Sequence, residues 1–167
     1  MINGAFVLAV IPARSGSKRC PGKNFLPFRS KVLWEWSWAA AEGSRYVDSI
    51  VLSQDADRPA HLCTDEASCE DVLRYHLADF PEAAWVVLLQ PTSPLRTAAD
   101  IDECIEKAVS NGSAALTVNE RGQTNGAVYV ASREWISKHD FAHAGYRKVP
   151  MPDERSLDIN YAEDFNA

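Results

Sequence analysis

Residues 11–24 run Ile11-Pro12-Ala13-Arg14-Ser15-Gly16-Ser17-Lys18-Arg19-Cys20-Pro21-Gly22-Lys23-Asn24, a stretch that concentrates anion-binding groups. Arg14 offers a planar fork suited to phosphate or carboxylate, and Lys18 and Lys23 offer compact point charges. Gly16 and Gly22 let backbone N–H groups come close to an anion. Ser17 and Asn24 add neutral hydrogen-bond donors. The spacing is neither that of a P-loop nor that of a dinucleotide fingerprint. By composition alone, a phosphate cradle and a solvated basic loop both fit.

The charge distribution favours a local anion site. The chain has 167 residues, 17 of them Lys or Arg and 23 Asp or Glu, for a net charge of −6. Met1 to Trp34 contain no acidic residue but carry Arg14, Lys18, Arg19, Lys23, Arg29 and Lys31. A basic segment on an acidic body suits a small anion and argues against a nucleic-acid partner. No apolar run approaches the ~20 residues of a membrane span. The four cysteines lack metal-type spacing, so they read as reduced structural thiols in a cytoplasmic protein. The four histidines have no partner at ligand spacing and read as surface or packing residues. No nucleophile elbow supports hydrolase chemistry.

The elements that must position these groups alternate between strand and helix. Apolar runs without alternation at 5–11, 49–53, 85–89, 114–118 and 127–130 read as strands buried on both faces. A shorter strand is expected at 157–160. Helices are expected at 32–41, after the cap Ser68, after the capping pair Thr97 and Asp100, at 134–138 and at 162–165. Trp34, Trp36 and Trp38 would then point to different faces of their helix, with packing as their role. This order predicts a single α/β domain over 1–167 with a mostly parallel sheet. Ligands should sit at the carboxyl ends of its strands, where the loops after Ile11, Ser53, Leu89 and Ile159 gather.

Four further segments extend the pattern: Leu89-Gln90-Pro91-Thr92-Ser93-Pro94-Leu95-Arg96, Asn125-Gly126-Ala127-Val128-Tyr129, Leu157-Asp158-Ile159-Asn160, and Leu62 to Ser68. With residues 11–24, and taken in chain order, they resemble the cytidylyltransferases that activate acidic sugars, the CMP-N-acetylneuraminate synthetase family. The resemblance implies a Rossmann-like, three-layer nucleotidyltransferase fold. It implies transfer of CMP from CTP to the anomeric hydroxyl of a sialic-acid-like nonulosonic acid, with release of pyrophosphate. Arg14, Lys18 and Lys23 would be the catalytic cations, and Ser17, Asn24 and Ser68 would bind the nucleotide. Gln90, Arg96 and Asn125 would bind the acceptor, and Asp158 and Asn160 would hold Mg²⁺. Plainer readings stand beside some of these. Asp158 also fits a turn or cap, Arg96 a salt bridge to Asp100 or Asp102, and Asn125 an Asn-Gly turn.

The chain also departs from the family pattern. The stretch from Ser53 to Leu62 is contracted, and the dimerisation arm expected before Asn125 is reduced to 119–124. A homodimer would therefore need another interface. Ser15 stands where the family commonly has Gly. Asn160 stands where it has a second metal aspartate, which brings no negative charge to a hard cation. Two alternatives follow from these departures: a smaller acid or phosphonate as acceptor, or a nucleotide-binding relative without turnover.

Overall fold

The computed structural model describes residues 1–167. In chain order the strands are β1 (Phe6–Pro12), β2 (Pro27–Phe28), β3 (Lys31–Val32), β4 (Ser49–Ser53), β5 (Ala83–Leu88), β6 (Ala114–Val118), β7 (Thr124–Ser132) and β8 (Tyr146–Pro150). The helices are α1 (Leu33–Glu42), α2 (Cys69–Leu77), α3 (Ala98–Asn111) and α4 (Arg133–Lys138). Six strands form one sheet in the order β4-β1-β5-β7-β6-β8, and β2 and β3 form a separate small hairpin. β1 pairs in parallel with β4 and β5, and β6 in parallel with β8. β7 runs antiparallel to both its neighbours. The sheet is therefore mostly parallel, as the unalternating apolar runs predict.

Helices cover both faces. α1 and α3 close one apolar layer built on Val7, Ala9, Ile11, Val87, Ile101 and Ile105. α2 and α4 close the other, built on Leu8, Val10, Leu73, Val86 and Ile136. Successive residues of β1 thus feed opposite cores, which is why that strand must be apolar throughout. Ser68 caps α2 by accepting from the Asp71 N–H, and Thr97 and Asp100 cap α3 reciprocally. Trp34 and Trp38, one helical turn apart, share a face of α1 in an edge-to-face pair, which corrects the expectation that the three tryptophans point to different faces. Trp36 points away from them and donates from Nε1 to the Phe28 carbonyl at 3.0 Å.

Two further expectations need correction. Residues 157–160 form no ladder. They are extended and anchored by Ile159, which is fully buried with Phe28 and Leu33 in a third small cluster. The strand that completes the sheet is β8, whose polar, charged sequence Tyr-Arg-Lys-Val-Pro gave no apolar run because it is an edge strand with only Val149 buried. The 162–165 segment is 3₁₀ rather than α, spanning Ala162–Asn166. Residues 119–123 make a tight turn between β6 and β7, closed by Asn119 N–H to Gln123 O at 2.8 Å. No helix is long and apolar enough to cross a membrane.

Candidate functional site

The carboxyl ends of β1, β4 and β5 open onto a cavity of about 550 Å³. Pro12 ends β1, and the next twelve residues bring Arg14, Ser17, Lys18, Lys23 and Asn24 to its wall. Ser68 lines it at the start of α2, and Gln90 at the end of the β5 segment. Asp158 and Asn160 line it from the C-terminal segment. Nine of the residues singled out from the sequence thus meet in one place. The reason is topological. β1 sits between β4 and β5, so its terminal loop is flanked by theirs.

The C-terminal segment reaches the cavity by alternation. Leu157 and Ile159 face the small apolar cluster, which leaves Asp158 and Asn160 facing the opening. Ile159 N–H donates to the Thr92 carbonyl at 2.7 Å, and Lys23 Nζ donates to the Ile159 carbonyl at 3.1 Å. Lys23 therefore bridges the basic loop and the Asp158 segment. Burial holds its pKa below the usual lysine value, and Asp158 opposes that shift. Asn24 is buried and donates from Nδ2 to the Arg14 carbonyl at 2.9 Å, while its Oδ1 accepts from no group of the chain.

Asp158 and Asn160 are the candidate metal ligands. Asn160 Nδ2 donates to Asp158 Oδ2 at 2.7 Å. No group of three or more His, Cys, Asp or Glu side chains is arranged to hold a cation. One carboxylate and one amide fit a hard divalent ion only where a ligand's phosphate oxygens supply further positions.

Arg96 and Asn125 lie beneath the cavity rather than on it. Arg96 is fully buried and donates to Ser37 Oγ at 2.6 Å, to the Ala127 carbonyl at 2.6 Å and to the Gln90 carbonyl. It fixes the backbone that carries Gln90 and makes no salt bridge to Asp100 or Asp102. Burial pushes its pKa down to about 9, and Asp100 pulls it back up. Asp100 pairs with Arg155 at 2.7 Å, and Asp102 with Arg45 at 3.2 Å. Asn125 is buried in a network with Thr117 and Ser156 at the start of β7. Gly126, at φ +76°, places the next turn of backbone beside the Gln90 amide.

Sequence reasoning passed over three residues at the cavity. Arg58 is buried and laces the contracted 54–62 segment, donating to the Gln54 and Leu62 carbonyls and to Asp55. Asp65 pairs with Arg14 at 2.6 Å and with Lys18 at 2.8 Å. Cys69 accepts from Gln90 Nε2 at 3.7 Å, and burial pushes its thiol pKa up. Arg58 sits in a polar connector without periodic signal, and Asp65, although inside the Leu62–Ser68 motif, had no assigned partner until the folded loops brought Arg14 and Lys18 to it. A second cavity of about 300 Å³ shares Ser68, Cys69 and Gln90 with the first. Leu88, Leu116, Tyr129 and Phe141 wall it, and Glu70 is its only charged residue. All four cysteines are free. His76 is buried with Nε2 2.7 Å from Ser53 Oγ, a packing role.

Residues 8–144 match the cytidylyltransferase family model, which covers most of the chain and all of the basic loop. The chain belongs to the cytidylyltransferase family. Among its relatives is the N-acylneuraminate cytidylyltransferase of Escherichia coli O18:K1:H7, 31% identical over 95% of this chain and 50% of that protein. The chain spans about half the length of the curated relatives it matches. That alignment occupies 211 positions against 167 residues here, so the relative carries insertions this family member lacks. Two solved structures share the fold. The CMP:2-keto-3-deoxy-manno-octonic acid synthetase complexed with CTP has a TM-score of 0.72 at 15% identity, covering 97% of this chain and 96% of that one. The Rv0371C protein of Mycobacterium tuberculosis H37Rv, in complex with manganese, has a TM-score of 0.69 at 18% identity, covering 97% of each chain.

Proposed function

We propose that the chain binds CTP in the basic cavity and transfers CMP to the anomeric hydroxyl of an acidic sugar. The observation that carries this reading is the convergence of Arg14, Lys18 and Lys23 with Gln90 and Asp158 around one cavity. The anomeric oxygen bonds to the α-phosphorus, and the bond from that phosphorus to the β-phosphate oxygen breaks. Pyrophosphate leaves, and the hydroxyl proton passes to solvent. Such transfer depends on alignment and charge stabilisation rather than on a covalent enzyme intermediate. Arg14 and Lys18 hold the outer phosphates. Lys23, anchored on the Ile159 carbonyl, faces the charge that develops as pyrophosphate departs. Asn24 Oδ1, which no chain group satisfies, accepts from a nucleoside hydroxyl. Asp158 and the side-chain carbonyl of Asn160 would hold Mg²⁺, which would supply charge neutralisation at the phosphates.

The acceptor occupies the smaller cavity, with Gln90 at the boundary between the two. That cavity holds no cation and one carboxylate, Glu70, so the sugar's own carboxylate faces the basic cavity. Relatives named for N-acylneuraminate and the structural neighbour named for a keto-deoxy-octonic acid support an acid of this class. A second reading rests on the Asn160 to Asp158 hydrogen bond, which engages one oxygen of the only metal carboxylate. Under it the chain binds nucleotide without turnover. Pyrophosphate release from CTP with Mg²⁺, measured across nonulosonic acids, shorter keto-acids and phosphonates, separates the two. Release with any acid supports transfer. CTP binding without release under every acceptor supports the second reading.

A further inference from the structure

Arg14 and Lys18 are already matched by a carboxylate of the chain itself. Asp65 places Oδ1 2.6 Å from Arg14 Nη1 and Oδ2 2.8 Å from Lys18 Nζ, so each oxygen takes one cation. A phosphate bound between these cations would use the same two donors in the same way. Asp65 stands in the segment between β4 and α2, and that segment is fastened to the basic loop at a second point. Ser15 donates from its backbone N–H and its hydroxyl to Asp55 Oδ2 at 3.0 and 2.5 Å. Asp55 is held in turn by Arg58 at 3.0 Å. Residues 55–65 thus form a strap along the cavity wall, where Arg58, Leu62, Thr64 and Asp65 line it, tied to the basic loop at Asp55 and at Asp65. The Asp65 side chain itself is held by two ion pairs to side chains that are themselves partly or largely in solvent. Surface ion pairs of this kind are weak and exchange readily.

We propose that Asp65 is an internal anion that occupies the triphosphate position and is displaced when a nucleotide binds. This rests on the nucleotide reading above. Displacement makes the Asp65 side of the strap a gate. The two cations stay oriented and charge-matched without a ligand, and the incoming phosphates must outcompete one carboxylate. Removing that carboxylate should strengthen binding of any ligand that reaches Arg14 and Lys18. It should leave untouched any ligand that does not.

Isothermal titration of the 167-residue chain with CTP, and separately with cytidine, tests this in wild type, Asp65→Asn and Asp65→Glu. The expected result is CTP affinity raised roughly three- to tenfold in Asp65→Asn, the scale of two such ion pairs, and wild-type-like in Asp65→Glu. Cytidine affinity should be the same in all three. Weaker CTP binding in Asp65→Asn, with an unchanged thermal midpoint, would make Asp65 a support for the two cations and overturn the gate. Equal CTP affinity in all three proteins overturns it while leaving the nucleotide reading intact. Absence of CTP binding in every protein overturns both.

Discussion

Lys23 loses solvent in the cavity wall and gains only the Ile159 carbonyl and the nearby Asp158 charge, so its pKa falls below the lysine value. Between that lowered value and the ordinary 10.5, the unfolded chain holds a proton that the folded chain releases. Stability therefore rises with pH in that window. An anionic ligand reverses the shift, so CTP affinity should fall as pH rises through the lowered pKa, earlier than an ordinary lysine would dictate. Affinity measured from pH 7 upward checks this, and Lys23→Arg, always charged, should flatten the fall. Lys23→Ala should cost turnover about 10²–10³-fold, with circular dichroism unchanged. Asn160 supports a second prediction at this scale. Asn160→Asp places two carboxylates where one accepts from an amide. It should lower the thermal midpoint in chelator and raise it above wild type in saturating Mg²⁺. A metal-independent change of one sign would remove Asn160 from the metal site.

At the scale of elements, the segment Leu157–Asn160 holds its place without a ladder. Its fixed points are the buried Ile159 side chain, the Ile159 N–H on Thr92 and the Ile159 carbonyl on Lys23. Ile159→Ala leaves the two backbone bonds but opens a cavity against Phe28 and Leu33. It should destabilise the fold by about 2–5 kcal/mol in a denaturant titration. It should also weaken Mg²⁺-dependent CTP binding, although Ile159 touches neither ligand. Loss of stability with unchanged metal dependence would show that Asp158 is positioned by something else. Arg96 works on the same scale. One buried guanidinium ties the Gln90 backbone, α1 through Ser37 and β7 through Ala127. It sets where Gln90 stands without entering the cavity.

For the whole molecule, the basic loop, the contracted strap, the β5 terminus and the C-terminal segment close around one cavity, so a nucleotide there should couple to global unfolding. CTP with Mg²⁺ at ~100 times its dissociation constant should add about 2.7 kcal/mol, which for a domain of this size is roughly 5–11 °C in thermal midpoint. UTP, ATP and GTP should give less, and no shift with any nucleotide would sink the nucleotide reading. The sequence by itself determined the alternating architecture, because strands buried on both faces must be apolar throughout and helix caps need Ser68, Thr97 and Asp100. It also determined the cationic character of the cavity wall, because Arg14, Lys18, Lys23 and Asn24 fall within eleven consecutive positions. Only the tertiary structure decided that β8 completes the sheet, since an edge strand needs no apolar face, and that 157–160 is an anchored segment without strand partners. Only it separated Gln90, on the cavity wall, from Arg96 and Asn125 beneath it. Polar residues look alike in sequence whether they face a ligand or satisfy buried backbone, and burial is what distinguishes them. The pairing of Asp65 with Arg14 and Lys18 was hidden for the same reason, because contacts some fifty residues apart depend on how loops from different strands meet.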